Sequence, residues 1–287
     1  MKYLILGANG MAGHIIAAYL TERGHEVIGF ARKKSLCCSH TIIGDAMDLS
    51  RFRKRLASVP YDCVVNCIGV LNRAVDKDIS RGIYLNSLLP HLAADILKDR
   101  DTKFIHISTD CVFSGKKGRY TEADIPDECS LYGRTKALGE VTDGRNLTFR
   151  TSIIGPELNK NGVGLFHWFM HQKGEIKGFT EAIWSGVTTL ELAKAVEKAA
   201  FADLTGLYHL TNNETISKYE LLCLFNRLCR EDCISIVPDS GLVCDKSMVC
   251  TREDFHYQIP SYEEMVKEMA DWIVNHPDLY VGYKEHV

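Results

Sequence analysis

The N-terminal stretch Met1–Leu20, MKYLILGANGMAGHIIAAYL, decides the fold. Its Tyr3–Leu6 segment is a short apolar run that ends in glycine, which is typical of a buried strand. Apolar residues then recur at helical spacing over Met11–Leu20, and Gly24 is a natural stop for that helix. The stretch therefore predicts a strand, a tight glycine turn and a helix.

Three glycines occupy the turn between this strand and this helix. Gly7, Gly10 and Gly13 form the pattern G-x-x-G-x-x-G, which differs in spacing from the common G-x-G-x-x-G. Glycine lets backbone N–H groups approach a pyrophosphate at a helix N-terminus. The triplet alone also suits a turn that binds nothing, but its place directly after an apolar strand favours a dinucleotide site.

Strand-like and helix-like segments go on alternating through the first half of the chain. The further strands predicted from apolar runs are Glu26–Phe30, Asp62–Asn66, Phe104–Ile107 and Leu147–Arg150. Helices are predicted over Arg81–Leu97 and from about residue 131. This alternation predicts an α/β protein with a Rossmann-type, doubly wound parallel sheet.

The second half of the chain lacks this regular alternation of strands and helices. Residues 155–178 predict a loop with one short helix, Phe166–His171. Three helices with capping boxes then follow, and they begin at Thr188, Ser217 and Ser261. We expect a Rossmann domain over residues 1–155, and a smaller α/β substrate lobe formed mainly by residues 156–287. The two are expected to interleave, with later segments returning to the first domain.

Composition excludes several classes of function. The 287 residues are 46% apolar and 25% charged, which is ordinary for a globular protein. The net charge is −3, so the chain has no overall positive charge to attract nucleic acid. No apolar run approaches the roughly 20 residues that span a bilayer, and no secretory signal is apparent. The 11 cysteines lack zinc-ligand spacing, so no metal site is predicted and a reducing cytoplasm is expected. A homodimer paired through helices is a further expectation.

The end of the second strand distinguishes the two nicotinamide cofactors. An acidic residue there would hold a ribose 2′-hydroxyl, whereas a cation holds a 2′-phosphate. Here Arg32, Lys33 and Lys34 follow the strand without an acid, which favours NADP(H) over the alternative NADH, although a solvated basic loop would look the same. Asp48 and Leu49 are expected near the adenine.

A phenol, an ammonium and a hydroxyl form the candidate catalytic group. Tyr132 and Lys136 are four residues apart, so both can occupy one helix face. A neighbouring cation favours the phenolate, and we therefore expect Lys136 to lower the pKa of Tyr132. Thr109 follows a predicted central strand, where it could donate a hydrogen bond to a carbonyl oxygen during hydride transfer. A surface i,i+4 pair and a strand-end cap are the alternatives.

These motifs together resemble the extended short-chain dehydrogenase/reductases, and within them the dTDP-4-dehydrorhamnose reductase-like group. The segments that carry the resemblance, in family order, are LGANGMAGH, VVNCIG, ISTDCVFSG, YGRTKALGE and FRTSIIGPE. The resemblance implies NADPH-dependent reduction of the 4-keto group of a nucleotide-activated 6-deoxyhexose, for surface polysaccharide synthesis. It also implies a nucleotide-sugar substrate as the partner.

The resemblance assigns roles to individual residues. The implied cofactor-binding residues are Gly7, Asn9, Gly10, Met11, Gly13, Arg32, Cys67, Ile68 and Gly69, preceded by Asn66. Thr109, Tyr132 and Lys136 match the catalytic trio, of which Tyr132 and Lys136 also contact the cofactor. The segment near the nicotinamide and the sugar is Arg150, Thr151 and Ser152.

The chain departs from the rhamnose-forming pattern near the sugar. Cys111 stands after Asp110 where a tyrosine is frequent, and Ile153 and Ile154 replace an aromatic. Trp184 could supply a replacement face for the sugar or could simply pack in the smaller lobe. The alternative functions are an epimerase or dehydratase of the same superfamily and a non-catalytic NADP-binding regulatory subunit. Cys111 argues against a dehydratase, because a dehydratase would carry a second acid at this position.

Overall fold

The computed structural model describes residues 1–283. The strands within this range are β1 Lys2–Leu6, β2 Glu26–Ala31, β3 His40–Ile43, β4 Cys63–Asn66, β5 Lys103–Thr109, β6 Leu147–Thr151, β7 Ile153–Ile154, β8 Glu175–Phe179, β9 Ala182–Trp184, β10 Val187–Thr188, β11 Gly206–His209, β12 Ile216–Ser217, β13 Ser235–Asp239 and β14 Cys244–Asp245. The α-helices are α1 Met11–Glu22, α2 Leu49–Ala57, α3 Asn72–Lys77, α4 Ile79–Gly82, α5 Leu89–Leu97, α6 Leu131–Leu138, α7 Leu165–Met170, α8 Thr189–Phe201, α9 Lys218–Cys229 and α10 Tyr262–Asn275. A π-helical segment, Ile83–Leu88, joins α4 to α5.

Seven strands form one parallel sheet in the order β11-β6-β5-β4-β1-β2-β3. From β1 the chain proceeds outward to β2 and β3, and it then returns to β4 on the other side of β1. Ligands of such sheets bind where the strand order reverses, outside the carboxyl ends of the strands. The predicted Rossmann-type fold is confirmed.

The first strand is apolar throughout because both of its faces are covered. Tyr3 and Ile5 belong to the core cluster that includes α1 and α8, whereas Leu4 and Leu6 belong to the cluster that includes α2 and α5. Alternate side chains of a strand point to opposite faces, so a sheet between two helical layers requires a continuous apolar run.

Two strands of this sheet were missing from the sequence prediction. β3 is a half-exposed edge strand, His40–Ile43, and its burial is too weak to produce an apolar run. β11 pairs with β6 in parallel although about 60 residues separate them, so its place depends on a long-range contact. β8, Glu175–Phe179, also forms where a loop was predicted, by pairing with β13.

Two of the three capping boxes predicted at helix N-termini are present in the structure. The boxes at Ser217 and Ser261 are complete, with reciprocal bonds to Glu220 and Glu264. The predicted box at Thr188 is wrong in its second half. Thr188 accepts the backbone N–H of Glu191, but the Glu191 carboxylate accepts the Tyr257 hydroxyl instead, at 2.5 Å.

The strands outside the main sheet form three small sheets, β7 with β10, β8 with β13, and β9 between β12 and β14. Within residues 1–283 no helix is long and apolar enough to cross a bilayer. The same range contains no cluster of three side chains suited to holding a metal ion.

Candidate active site

A cavity of about 650 Å³ opens at the carboxyl ends of the central strands. It is lined by most of the residues predicted to bind cofactor or substrate, namely Gly7, Asn9, Gly10, Met11, Arg32, Cys67, Ile68, Gly69, Thr109, Asp110, Cys111, Tyr132, Lys136, Thr151 and Ser152. These residues come from the ends of β1, β2, β4, β5 and β6 and from α6. The fold therefore brings together segments that are more than 140 residues apart in the sequence.

The glycine turn has a geometry that only glycine permits. Gly7 has φ +83°, in the left-handed region, and a Cβ at Gly13 would lie 2.2 Å from the Gly7 carbonyl oxygen. Gly13 is absent from the cavity wall, so its predicted direct contact with the cofactor is corrected to packing of α1 against the turn. Gly10 precedes α1 without a side-chain cap, which leaves the first N–H groups of the helix for an anion.

The basic segment after β2 is tied to this turn. Asn9 donates its amide to the Lys33 carbonyl at 3.0 Å, which fixes the segment beside the glycines. Arg32 is exposed and lines the cavity. Arg32 is not among the arginines that form ion pairs within residues 1–283, so its guanidinium is available to a phosphate.

The two residues predicted to lie near the adenine do not line the cavity. Asp48 caps α2, since its carboxylate accepts the Arg51 N–H at 3.1 Å, and neither Asp48 nor Leu49 lines the cavity. Asp45 and Ala46 line it instead. β3 ends at residue 43, so the turn that immediately follows this strand reaches the cavity and the helix cap does not.

The candidate catalytic residues all lie on the cavity wall. Ser130 accepts the Gly133 N–H and starts α6, which carries Tyr132 and Lys136, both buried, one turn apart. Thr109 ends β5, donates to the Asp110 carboxylate at 3.0 Å and accepts the Cys111 N–H at 3.1 Å. Tyr132, Lys136 and Thr109 thus share one cavity with the glycine turn.

The protonation tendencies differ from the sequence prediction. Burial raises the pKa of Tyr132, with a further increase from the Cys111 thiol, although the Thr109 hydroxyl opposes both. Lys136 was expected to lower this pKa, but its ammonium nitrogen donates to the Ile107 carbonyl at 2.7 Å. Burial lowers the pKa of Lys136 itself to about 8. Burial therefore favours the protonated phenol, and it moves the pKa of the lysine towards neutrality.

Arg150 was predicted to contact the sugar, and the structure corrects this. Its side chain is 2% exposed, absent from the cavity wall and paired with Glu140 at 2.5 Å. It also contacts His209 Nε2 at 2.9 Å and stacks over Phe113. Because its donors are used inside the protein, Arg150 supports the sheet and not a ligand.

Trp184 is also displaced from its predicted position. It is buried against Tyr262 and does not line the cavity, so it offers no face to a sugar. Its indole N–H donates to the Ser152 hydroxyl at 2.8 Å. Ser152 does line the cavity, so Trp184 acts on the site by orienting that hydroxyl.

Several cavity residues escaped the sequence prediction. They are Asp45, Ala46, Arg81, Leu85, Glu157, Leu158, Asn159, Asn161 and Val163. Glu157 holds the 157–163 loop in place, because its carboxylate accepts the Gly164 N–H at 2.7 Å and its own N–H donates to the Tyr283 hydroxyl. No local motif marks this loop, since a contact from the far end of the chain anchors it.

The fold and the cavity together define a Rossmann-type protein with the architecture of the extended short-chain dehydrogenase/reductases. Residues 1–243 match the RmlD substrate binding domain family, and the chain belongs to this family. The resemblance predicted from the motifs is thereby confirmed.

Three curated relatives illustrate its range. The spore coat polysaccharide biosynthesis protein SpsK of Bacillus subtilis is 28% identical over 225 residues, 76% of each chain. The dTDP-4-dehydrorhamnose reductase of Aggregatibacter actinomycetemcomitans is 23% identical over 250 residues, 83% of this chain and 82% of the relative. The methionine adenosyltransferase 2 subunit beta of Danio rerio is 25% identical over 241 residues, 77% and 72% respectively.

A solved structure shares the fold. The dTDP-4-dehydrorhamnose reductase of Bacillus anthracis, in complex with NADP, superposes with a TM-score of 0.79 at 20% identity. The match covers 94% of this chain and 99% of the other.

Proposed function

We propose that the protein is an NADPH-dependent reductase acting on the 4-keto group of a nucleotide-activated 6-deoxyhexose. The observation that carries the proposal is one cavity in which a glycine turn, an unpaired arginine and the Tyr132–Thr109 pair meet. The sequence relatives named for dTDP-4-dehydrorhamnose reduction and for spore coat polysaccharide synthesis support the substrate class and the biosynthetic role.

The cavity residues fit a dinucleotide phosphate. The uncapped N-terminus of α1, beside Gly7 and Gly10, would hold the pyrophosphate, and a side chain at Gly13 would close the turn. Arg32 would hold the 2′-phosphate, and Asp45 lies on the adenine side of the cavity. NADPH bound there would supply the hydride.

The chain's own residues would supply and position the proton. Tyr132 is held as a phenol by burial, which suits a group that donates its proton to the carbonyl oxygen as that oxygen gains charge. Thr109 lies close enough to Tyr132 to influence its pKa, and it would donate a hydrogen bond to the same oxygen. Burial of the Tyr132 side chain excludes water from the phenol, which strengthens these interactions.

The sugar would lie against residues at the carboxyl end of β6 and just after β5 and β6. Cys111, Thr151 and Ser152 line this part of the cavity, and Ser152 is oriented by Trp184. A small thiol and two hydroxyls leave more room than aromatic side chains would. We therefore infer a 6-deoxyhexose whose ring is recognised through hydrogen bonds and not through stacking.

A second candidate is a subunit that binds the dinucleotide and regulates a partner enzyme. The match to a beta subunit of methionine adenosyltransferase favours it. A subunit of that kind has no need of a proton donor, whereas this cavity contains Tyr132, Thr109 and Lys136 together. The reductase is therefore the first candidate.

The test is a screen of 4-keto-6-deoxy sugar nucleotides in which NADPH absorbance is followed, with Tyr132→Phe as the informative variant. We expect the variant to bind NADPH normally and to lose about 10²–10⁴ in kcat. Tyr61→Phe is the matched control, because the Tyr61 hydroxyl is buried without a hydrogen-bond partner among residues 1–283 and lies away from the cavity. Undiminished turnover by Tyr132→Phe would exclude the acid role. NADPH binding without turnover of any sugar by the wild type would favour the subunit.

A further inference from the structure

Two buried side chains, Asn66 and His106, connect in series to Lys136 and do not line the cavity. Asn66, at the end of β4, donates its amide to His106 Nδ1 at 3.1 Å. His106 Nε2 in turn lies 3.4 Å from the Lys136 ammonium nitrogen. Asn66 and His106 are fully buried, and neither lines the cavity.

The orientation of each of these groups follows from its neighbour. The Asn66 side-chain oxygen accepts the backbone N–H of Ile68 at 3.1 Å, so its NH₂ group must face His106. Because that NH₂ group is a donor, His106 Nδ1 must be the unprotonated nitrogen. A neutral imidazole carries one proton, which therefore resides on Nε2 and points at Lys136.

Burial and the charge of Lys136 lower the pKa of His106 well below its usual range, so the ring is neutral. An Nε2–H facing an ammonium places two donors against each other. An Nε2–H facing an amine instead meets a lone pair and forms a hydrogen bond. Lys136 donates to the Ile107 carbonyl at 2.7 Å, and both the ammonium and the amine have an N–H for this bond.

We propose that Asn66 and His106 are positioning residues that favour the amine form of Lys136. The backbone N–H of Ile68 orients Asn66, Asn66 selects the tautomer of His106, and His106 Nε2–H stabilises the lone pair of the lysine. The proposal deepens the proposed reductase function. A lysine whose pKa is lowered can release and regain a proton at the wall of the cavity during a reaction cycle, whereas a permanent ammonium cannot.

Other ionisable groups act on the same lysine. Cys67, after β4, and Glu140, after α6, both raise the pKa of Lys136, while burial lowers it. The Glu140 carboxylate is already paired with Arg150. On the far side, His91 of α5 lowers the pKa of His106 and so keeps that ring neutral. His106 is therefore the neighbouring side chain whose donor opposes the ammonium.

The test reads the tautomer and the titration directly by ¹⁵N NMR of the full-length protein, without substrate. We expect the wild type to show Nε2–H for His106 and Lys136 to titrate near pH 8. In Asn66→Asp, which keeps the shape but accepts at both oxygens, His106 should become Nδ1–H and the Lys136 pKa should rise by about one unit or more.

His106→Phe separates the hydrogen bond from the added charge of the aspartate, because it removes the donor and adds no charge. The Lys136 pKa should rise in this variant too, whereas Ile105→Val on the same strand should leave it unchanged. A rise confined to Asn66→Asp would overturn the proposal, as would an Nδ1–H tautomer in the wild type, which requires no variant to fold.

Activity then provides a separate readout. If the enzyme reduces a sugar nucleotide, the pH profile of kcat should shift upward with the Lys136 titration in both variants, while KM at the optimum stays the same. If no sugar is reduced, the proposed function fails, but the NMR result still decides the role of His106.

Discussion

The buried pair Arg150–Glu140 offers the sharpest test of how the structure reassigns a predicted substrate residue. The two side chains are 2% and 6% exposed and make two parallel contacts, Nε to Oε1 at 2.8 Å and Nη2 to Oε2 at 2.5 Å. Glu140 Oε1 also accepts the Ser108 hydroxyl at 2.7 Å. Glu140→Gln keeps the shape of the side chain and removes its charge, which leaves the Arg150 guanidinium buried without a counterion.

Removal of one partner of a buried, hydrogen-bonded pair costs about 3–5 kcal/mol. For a chain of this size, each kcal/mol lowers the melting temperature by about 2–4 °C, so Glu140→Gln should lower it by roughly 6–20 °C. Urea denaturation followed by circular dichroism should show a lower midpoint with an unchanged slope. The double variant Glu140→Gln/Arg150→Met should be less destabilised than Glu140→Gln, because it no longer buries a lone charge.

The control is the exposed pair Lys98–Asp95, whose side chains are 61% and 55% exposed. Asp95→Asn should leave the midpoint unchanged, since water screens that pair. A Glu140→Gln protein within about 1 kcal/mol of the wild type would refute the reasoning, since a structural pair at this burial costs several times more. An Arg150→Met protein of normal stability with a raised KM for the sugar would restore the substrate role.

Three further outcomes follow from the site. Gly13→Ala should abolish NADPH binding in a fluorescence titration, because its Cβ would lie 2.2 Å from the Gly7 oxygen, whereas Gly144→Ala meets nothing within 4 Å and should bind normally. Arg32→Ala should weaken NADPH binding at least tenfold more than NADH binding, and equal losses would remove the 2′-phosphate assignment. Lys136→Met should be more stable than the wild type at pH 7, because the wild type must hold a buried charge there. Between about pH 8 and 10.5 the lysine is neutral in the folded state and protonated in the unfolded state, so the wild type gains stability as pH rises. In urea titrations the advantage of Lys136→Met should therefore shrink by about 3 kcal/mol over this range. An advantage that stays constant with pH would show that burial does not lower the lysine pKa.

Much of the architecture is encoded locally. The glycine turn, the apolar strand before it and the caps at Ser217 and Ser261 depend on residues within a few positions of one another. Backbone conformation and helix spacing are short-range properties, so they can be read from a sequence. The one-turn spacing of Tyr132 and Lys136 and its position behind a parallel strand followed from the same rules.

Other features were decided only by the tertiary structure. Arg150 lies next to cavity residues in the sequence, yet its charge is neutralised by Glu140, so it faces the core. The phenol of Tyr132 has a raised pKa because packing excludes water, and no spacing rule reports that exclusion. The tautomer of His106 depends on an amide 40 residues away. Local geometry depends on nearby residues, whereas burial, charge pairing and proton position depend on which distant segments the fold brings into contact.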